Sequence, residues 1–117
     1  MTEETCRACH AEVEELRNAA LDALLALIDD IAAAVAADST DPRLSGAGAM
    51  QRRAQFFVDF VAAENSMGFH VPEEAARILA RSIDASHQGQ VAMLRVRSAI
   101  NPRWFGPENS PADRHRR

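Results

Sequence analysis

The sequence contains no lysine and no tyrosine; all thirteen basic side chains are arginine. Chemistry that depends on an amine or a phenol is therefore closed to it. Aromatic residues make up only 5% of the chain, and glycine and proline contribute five each. Few aromatic and few β-branched residues argue against a sheet. No run of about 18 apolar residues occurs, so no segment is expected to span a membrane. Formal net charge is −4, and no basic stripe runs through the periodic segments, which removes the electrostatic basis for nucleic-acid binding. No catalytic triad and no phosphate-cradling glycine loop is present. The adjacent Glu73 and Glu74 suit the positive end of a helix better than an acid–base pair.

What remains is rich in alanine and leucine, the composition of helices. The 117 residues form one domain, long enough to bury a core without disulfides. The expected fold is all-α: an antiparallel bundle of three long helices over residues 1–100, completed by dimerisation in an alternative arrangement, with a flexible tail over 101–117. The first helix is predicted from about Ala11 to Ala37, after a short lead-in. Val13, Leu16, Ala20, Leu24, Leu27, Ile28, Ile31 and Val35 recur at three and four, the period of one helical face. Asp38-Ser39-Thr40-Asp41-Pro42, followed by Gly46 and Gly48, reads as a loop. A second helix is predicted from about Ala49 to Ser66, with Met50, Ala54, Phe57, Val58 and Val61 on one face. Phe56 and Phe60 form a neighbouring stripe, which predicts packing on more than one side. Pro72 with Glu73 and Glu74 opens a third helix, carrying Ala76, Leu79, Ile83, Val91, Leu94 and Ile100. Gly89 is expected to weaken that helix by about 1 kcal/mol. The basic Arg114-His115-Arg116-Arg117 ending reads as solvated chain.

The chemistry is concentrated in Cys6-Arg7-Ala8-Cys9-His10, a C-x-x-C-H stretch of the kind that attaches c-type haem. Two thiols must reach two vinyl groups on one side of a porphyrin, and the adjacent histidine must sit beneath the iron. The chain has only two cysteines, and both lie in this pattern. Three other readings stand beside it: a C-x-x-C redox pair, which lacks its usual βαβ context; zinc on Cys6, Cys9, His10 and a distant histidine; and two inert thiols. If haem is attached, the protein is exported, to a periplasm or its equivalent. The opening Met1-Thr2-Glu3-Glu4-Thr5 is not a signal peptide. Either an export signal has been removed, or the motif is unused and the chain is cytoplasmic and haem-free.

A haem iron takes an axial ligand on each face. His10 supplies one. Candidates for the second are His70, His87, His115, Met67 and Met93. The first predicted helix climbs about 37 Å and the second descends about 27–30 Å, returning residues near 67–71 to the level of the cysteines. His87 lies about 22 Å farther up the third helix. His70 is therefore preferred, with Met67 as the alternative. A loop histidine satisfying the free N–H groups at a helix start is the other reading of His70.

The order of these elements resembles the C-terminal region of the ammonia-forming cytochrome c nitrite reductases. In that family a C-x-x-C-H motif is followed by a long helix, a variable loop and two further helices. The likeness covers about residues 5–95. It is carried by the cysteine motif, by Asp59-Phe60, and by His70-Val71-Pro72-Glu73-Glu74-Ala75 with Leu79, Ile83 and Asp84. It implies that Cys6, Cys9 and His10 hold the last of a series of haems. It implies that His70 is an axial ligand, but in the family the matching histidine serves a neighbouring haem whose own motif is absent here, so His70 is either reassigned to the haem on Cys6 and Cys9, ligates a haem in another chain, or is left without iron. It also implies that the catalytic haem is missing, because the family uses a lysine ligand and an active-site tyrosine. By resemblance this is an electron-transfer module with one covalent haem c, not catalytic alone, meeting a redox partner or a multihaem protein. Self-association through the first and third helices is a further implication. The alternative is a haem-free helical module for dimerisation or docking to a multihaem partner.

Overall fold

A computed structural model describes residues 3–66 and 72–100, with side chains from 11 to 64 and from 72 to 99. Helix α1 spans Glu3–Ala36, α2 Arg43–Ser66 and α3 Pro72–Ile100, with no strand among the described residues. The all-α expectation holds. The predicted tail over 101–117 lies outside the described residues.

Helix α1 begins earlier than its hydrophobic period predicts. Its 34 residues contain no glycine or proline, and Glu3 and Glu4 lie at the end where the macrodipole favours negative charge. The cysteine motif is therefore part of the helix, not a lead-in to it. At the other end, the Ser39 N–H donates to the Ala34 carbonyl at 3.1 Å and the Asp38 N–H to the Val35 carbonyl at 3.0 Å. Asp38 has φ 54°, the left-handed conformation that closes such a cap.

Helix α2 also starts earlier, and Gly46 and Gly48 lie inside it. Two things outweigh the propensity cost of about 1 kcal/mol for each glycine. Asp41 caps the helix: its carboxylate accepts the Arg43 backbone N–H at 2.9 Å, with Pro42 at the first turn, where its missing N–H does no harm. Between the two glycines, Ala47 is completely buried against Leu27, Ala34, Met93 and Val96. The Arg43 guanidinium returns to the same Asp41 carboxylate at 2.9 and 2.6 Å. That hydrogen bonding, with the backbone bond second, lowers the Asp41 pKa from 3.8 to about 2.

Three buried clusters establish the topology. Ala20 of α1 meets Val58 and Val61 of α2 and Ala75 and Leu79 of α3. Leu24, Ala54 and Ala85 meet in the middle. Leu27 and Ala34 meet Ala47, Met93 and Val96 at the far end. Residue numbers rise along α1 and α3 as they fall along α2, so the path is up, down, up. Helix α3 packs against both others, more extensively with α2.

The buried stripe of α3 is Ala75, Leu79, Ser82, Ser86, Gly89, Met93 and Val96, alternating steps of four and three as in coiled-coil packing. Val91 and Leu94, expected inside, are 55% and 47% exposed. On α1, Val35 is exposed and Ala34 takes the inner position. Small and polar residues carry the middle of the seam. The Ser82 hydroxyl donates to the Ala54 carbonyl at 2.8 Å across the α2–α3 contact. A Cβ at Gly89 would stand 2.6 Å from Leu27 Cδ2, so this glycine admits the Leu27 side chain. Arg97 pairs with Asp30 between α3 and α1.

Candidate functional site at the start of the first helix

Positions 6, 9 and 10 fall within the opening turns of α1. Steps of three and four place them on one helical face. The same face continues through Val13 and Leu16 to the buried Ala20. The cysteine positions thus extend the seam by which α1 meets its neighbours. The side chains of Cys6, Cys9 and His10 lie outside the described ones.

Just beyond them, α1 and the start of α3 border an open groove of about 690 Å³. Its apolar wall is formed by Val13, Leu16 and Ala19 from α1 and by Pro72 and Ala76 from α3. Glu12, Glu15 and Glu73 complete the lining. The spacing of the two cysteine positions and the histidine position is the one that attachment of a c-type haem needs. Two thiol positions and an imidazole position share one face, and the chain beside them offers an apolar surface for a flat, largely apolar ring.

Of the candidates for a second ligand, His70, Met67 and His115 lie outside the described residues. His87 is exposed on α3. Met93 is completely buried with Leu27, Ala34, Ala47 and Val96, at the end of the bundle away from the cysteines. It is a core residue.

A second concavity, of about 340 Å³, lies between α2 and α3, with Phe56, Phe57 and Phe60 facing Arg77 and Arg81. Phe56 is 62% exposed and Phe60 40% exposed, so the second aromatic stripe of α2 is not covered within the described chain. The Arg53 guanidinium stands 5.7 Å from the centre of the Phe57 ring. Among the described residues no cluster of three or more His, Cys, Asp or Glu could hold a metal, and no helix is long and apolar enough to cross a membrane. Sequence reasoning did not find the groove, because its two walls lie about 60 positions apart and only the parallel run of α1 and α3 brings them together.

An all-helical chain whose first helix opens on C-x-x-C-H falls in the class of c-type cytochromes. The sequence comparisons narrow this. The family described as Cytochrome c552 matches over residues 1–113, and the chain belongs to that family. It is 32% identical over 111 residues to cytochrome c-552 of Bacteroides fragilis strain ATCC 25285, covering 82% of this chain and 22% of that protein. It is 28% identical to cytochrome c-552 of Bacteroides thetaiotaomicron over the same shares. The chain therefore spans about a fifth of the length of these relatives. No solved structure matches it. Membership of a cytochrome c family implies covalently bound haem c.

Proposed function

We propose that this chain is a c-type haem electron-transfer module with one covalent haem, on Cys6 and Cys9 as thioether anchors and His10 as an axial ligand. One observation carries the reading: the cysteine and histidine positions share one face of α1, beside an apolar groove, in a member of the Cytochrome c552 family. His70 is assigned as the second axial ligand. This is supported by the cluster joining Ala20 to Val61 and Ala75, with Val13 and Leu16 packed against it. The end of α2 and the start of α3, between which His70 lies, thereby flank the opening part of α1. Bound haem would supply a one-electron couple. Held by His10 and His70, such a group would serve electron transfer in preference to substrate binding, at a lower potential than a histidine–methionine pair would give.

The chain's own residues have separable tasks. The thiols of Cys6 and Cys9 would anchor the ring covalently. The imidazoles of His10 and His70 would hold the iron. Val13, Leu16 and Ala19 would offer the ring an apolar surface beside them. Without lysine or tyrosine the chain does not rebuild the catalytic haem site of nitrite reductases, so reduction of nitrite is assigned to a larger multihaem assembly and not to this chain alone. Attachment of haem requires an exported location.

A second reading, a dimerisation module, is favoured by Leu25 and Val35 on α1 and Val91 and Leu94 on α3, all large, apolar and exposed. The two readings separate by experiment. After expression with haem-maturation machinery, the intact mass should rise by one haem and the reduced protein should show sharp visible bands. An unmodified mass from a folded, colourless protein would sink the haem reading. A dimer under those conditions would leave the helical scaffold as the function.

A further inference from the structure

We infer that the face of the α2–α3 pair turned away from α1, where Phe56 and Phe60 stand beside Arg77 and Arg81, is a docking site for an acidic amphipathic helix of another protein. This surface includes no residue of α1 and does not depend on haem.

Helix α1 covers one side of the α2–α3 pair. Ala20 and Leu24 meet Ala54, Val58 and Val61 of α2 and Ala75, Leu79 and Ala85 of α3. Phe56 and Phe60 each lie two residues from Val58, about 200° around the helix, and both are exposed. Arg77 and Arg81 stand in the same relation to the buried Leu79 and are exposed as well. With Phe57 and Ile78 they border a concavity of about 340 Å³. It is the place that a fourth helix takes in a bundle. Each pair is spaced by four residues, one helical turn. A helix laid there meets a ring on one side and a guanidinium on the other at successive turns, and anchors of its own at three- and four-residue spacing fit between them. The flat surface of a bilayer would leave such a recess unfilled.

The charge of this face is opposite to that of the chain. The whole sequence has 17 acidic residues against 13 basic ones. Here Arg77 and Arg81 face Glu74 alone, and Arg53 stands over the Phe57 ring. Among the described residues the ion pairs are Arg43–Asp41 and Arg97–Asp30, so these three guanidiniums keep their donors for a partner. A guanidinium fork binds a carboxylate through two parallel bonds, and exposed phenylalanine gains by burial against apolar side chains. Together these demands define the occupant: a helix with an apolar stripe flanked by Asp or Glu. A second copy of this chain is the poorer occupant, because at net charge −4 two copies repel one another at long range.

The test uses the full chain and a dye-labelled helical peptide of about 18 residues, or about five turns, with leucine at helical spacing and glutamate beside it. A control peptide keeps the leucines and has lysine for glutamate. Fluorescence anisotropy should show saturable binding of the acidic peptide and none of the basic one, weaker at high salt. R77E with R81E should weaken that binding about tenfold or more, and so should F56S with F60S. R17E with R95E makes the same charge change at exposed positions outside the concavity and should leave the affinity within about twofold of wild type. Far-UV circular dichroism checks that each variant keeps its helices. No binding of the acidic peptide, or equal binding by all three double variants, would overturn the inference. Sedimentation with phosphatidylglycerol vesicles in place of peptide binding would assign the face to a membrane surface instead. A discrete dimer in sedimentation equilibrium, dissolved by F56S with F60S and indifferent to the peptide, would assign it to a second copy.

Discussion

At the scale of single residues, the middle of α3 turns on three small residues, Ser82, Ser86 and Gly89. Ser82 and Ser86 are both completely buried, yet their situations differ. Ser82 donates across to the Ala54 carbonyl; Ser86 Oγ has no hydrogen-bond partner in the structure. Removing a satisfied hydroxyl costs about 1 kcal/mol, whereas removing an unsatisfied one is neutral or favourable. Ser82→Ala should therefore lower the urea midpoint and Ser86→Ala should leave it equal or raise it. Equal losses from both would show that Ser86 has a partner, such as a bound water. Gly89 poses a second contest. Alanine would gain about 1 kcal/mol of helix propensity, but its Cβ would meet Leu27 atoms at 2.6, 2.9 and 3.3 Å. Leu27 is completely buried and cannot swing into solvent, so an overpacking cost of about 1–3 kcal/mol prevails. Gly89→Ala should destabilise the protein in a denaturant titration; a gain in stability would show that α1 yields at this contact.

At the scale of elements, the start of α2 depends on Asp41. Its carboxyl is ionised in the folded chain down to about pH 2, against 3.8 ordinarily, chiefly because the Arg43 side chain binds it. A lowered folded pKa means that the unfolded chain takes up the proton first on acidification. The stabilisation from this group is complete above about pH 4 and is lost as the pH falls toward 2. Asp41→Asn keeps a capping oxygen but removes the charge. In thermal melts it should lose stability near neutrality and show a shallower decline than wild type between pH 4 and 2. Parallel curves for the two proteins would show that the pair with Arg43 has no influence on folding. The glycines that follow are helical where their propensity predicts a loop, because a propensity scale carries no information about Ala47, whose burial holds that turn in place.

At the scale of the whole molecule, the three helices form a sheath that covers itself unevenly. The interior is complete along one seam, while Phe56 and Phe60 lie outside it. Aromatic and arginine side chains together, as with Arg77 and Arg81 beside these rings and Arg53 over Phe57, are the composition of interface centres. In the isolated chain these rings contribute little to folding. The double change Phe56→Ser with Phe60→Ser should shift unfolding by no more than about 0.5 kcal/mol and should reduce concentration-dependent light scattering. A large loss of stability would place the rings inside the fold instead.

The number of helices, their order and the start of α3 at Pro72 were legible in the sequence. Each of these follows from local causes: an unbroken helical period and a proline at a first turn. Ala20, Leu24 and Leu27 were legible as core for the same reason, since apolar residues at helical spacing mark a buried face. Only the tertiary structure decided which face of α3 turns inward beyond Leu79. There Ser82, Ser86 and Gly89 carry the seam, and small or polar residues give no hydrophobic signal, so the apolar period points to Val91 and Leu94 although Met93 and Val96 are the buried pair. It likewise decided that Met93 is core and that Glu12 and Glu15 face Glu73 across a groove. Contacts between distant segments depend on how whole helices align, and no local pattern records that alignment.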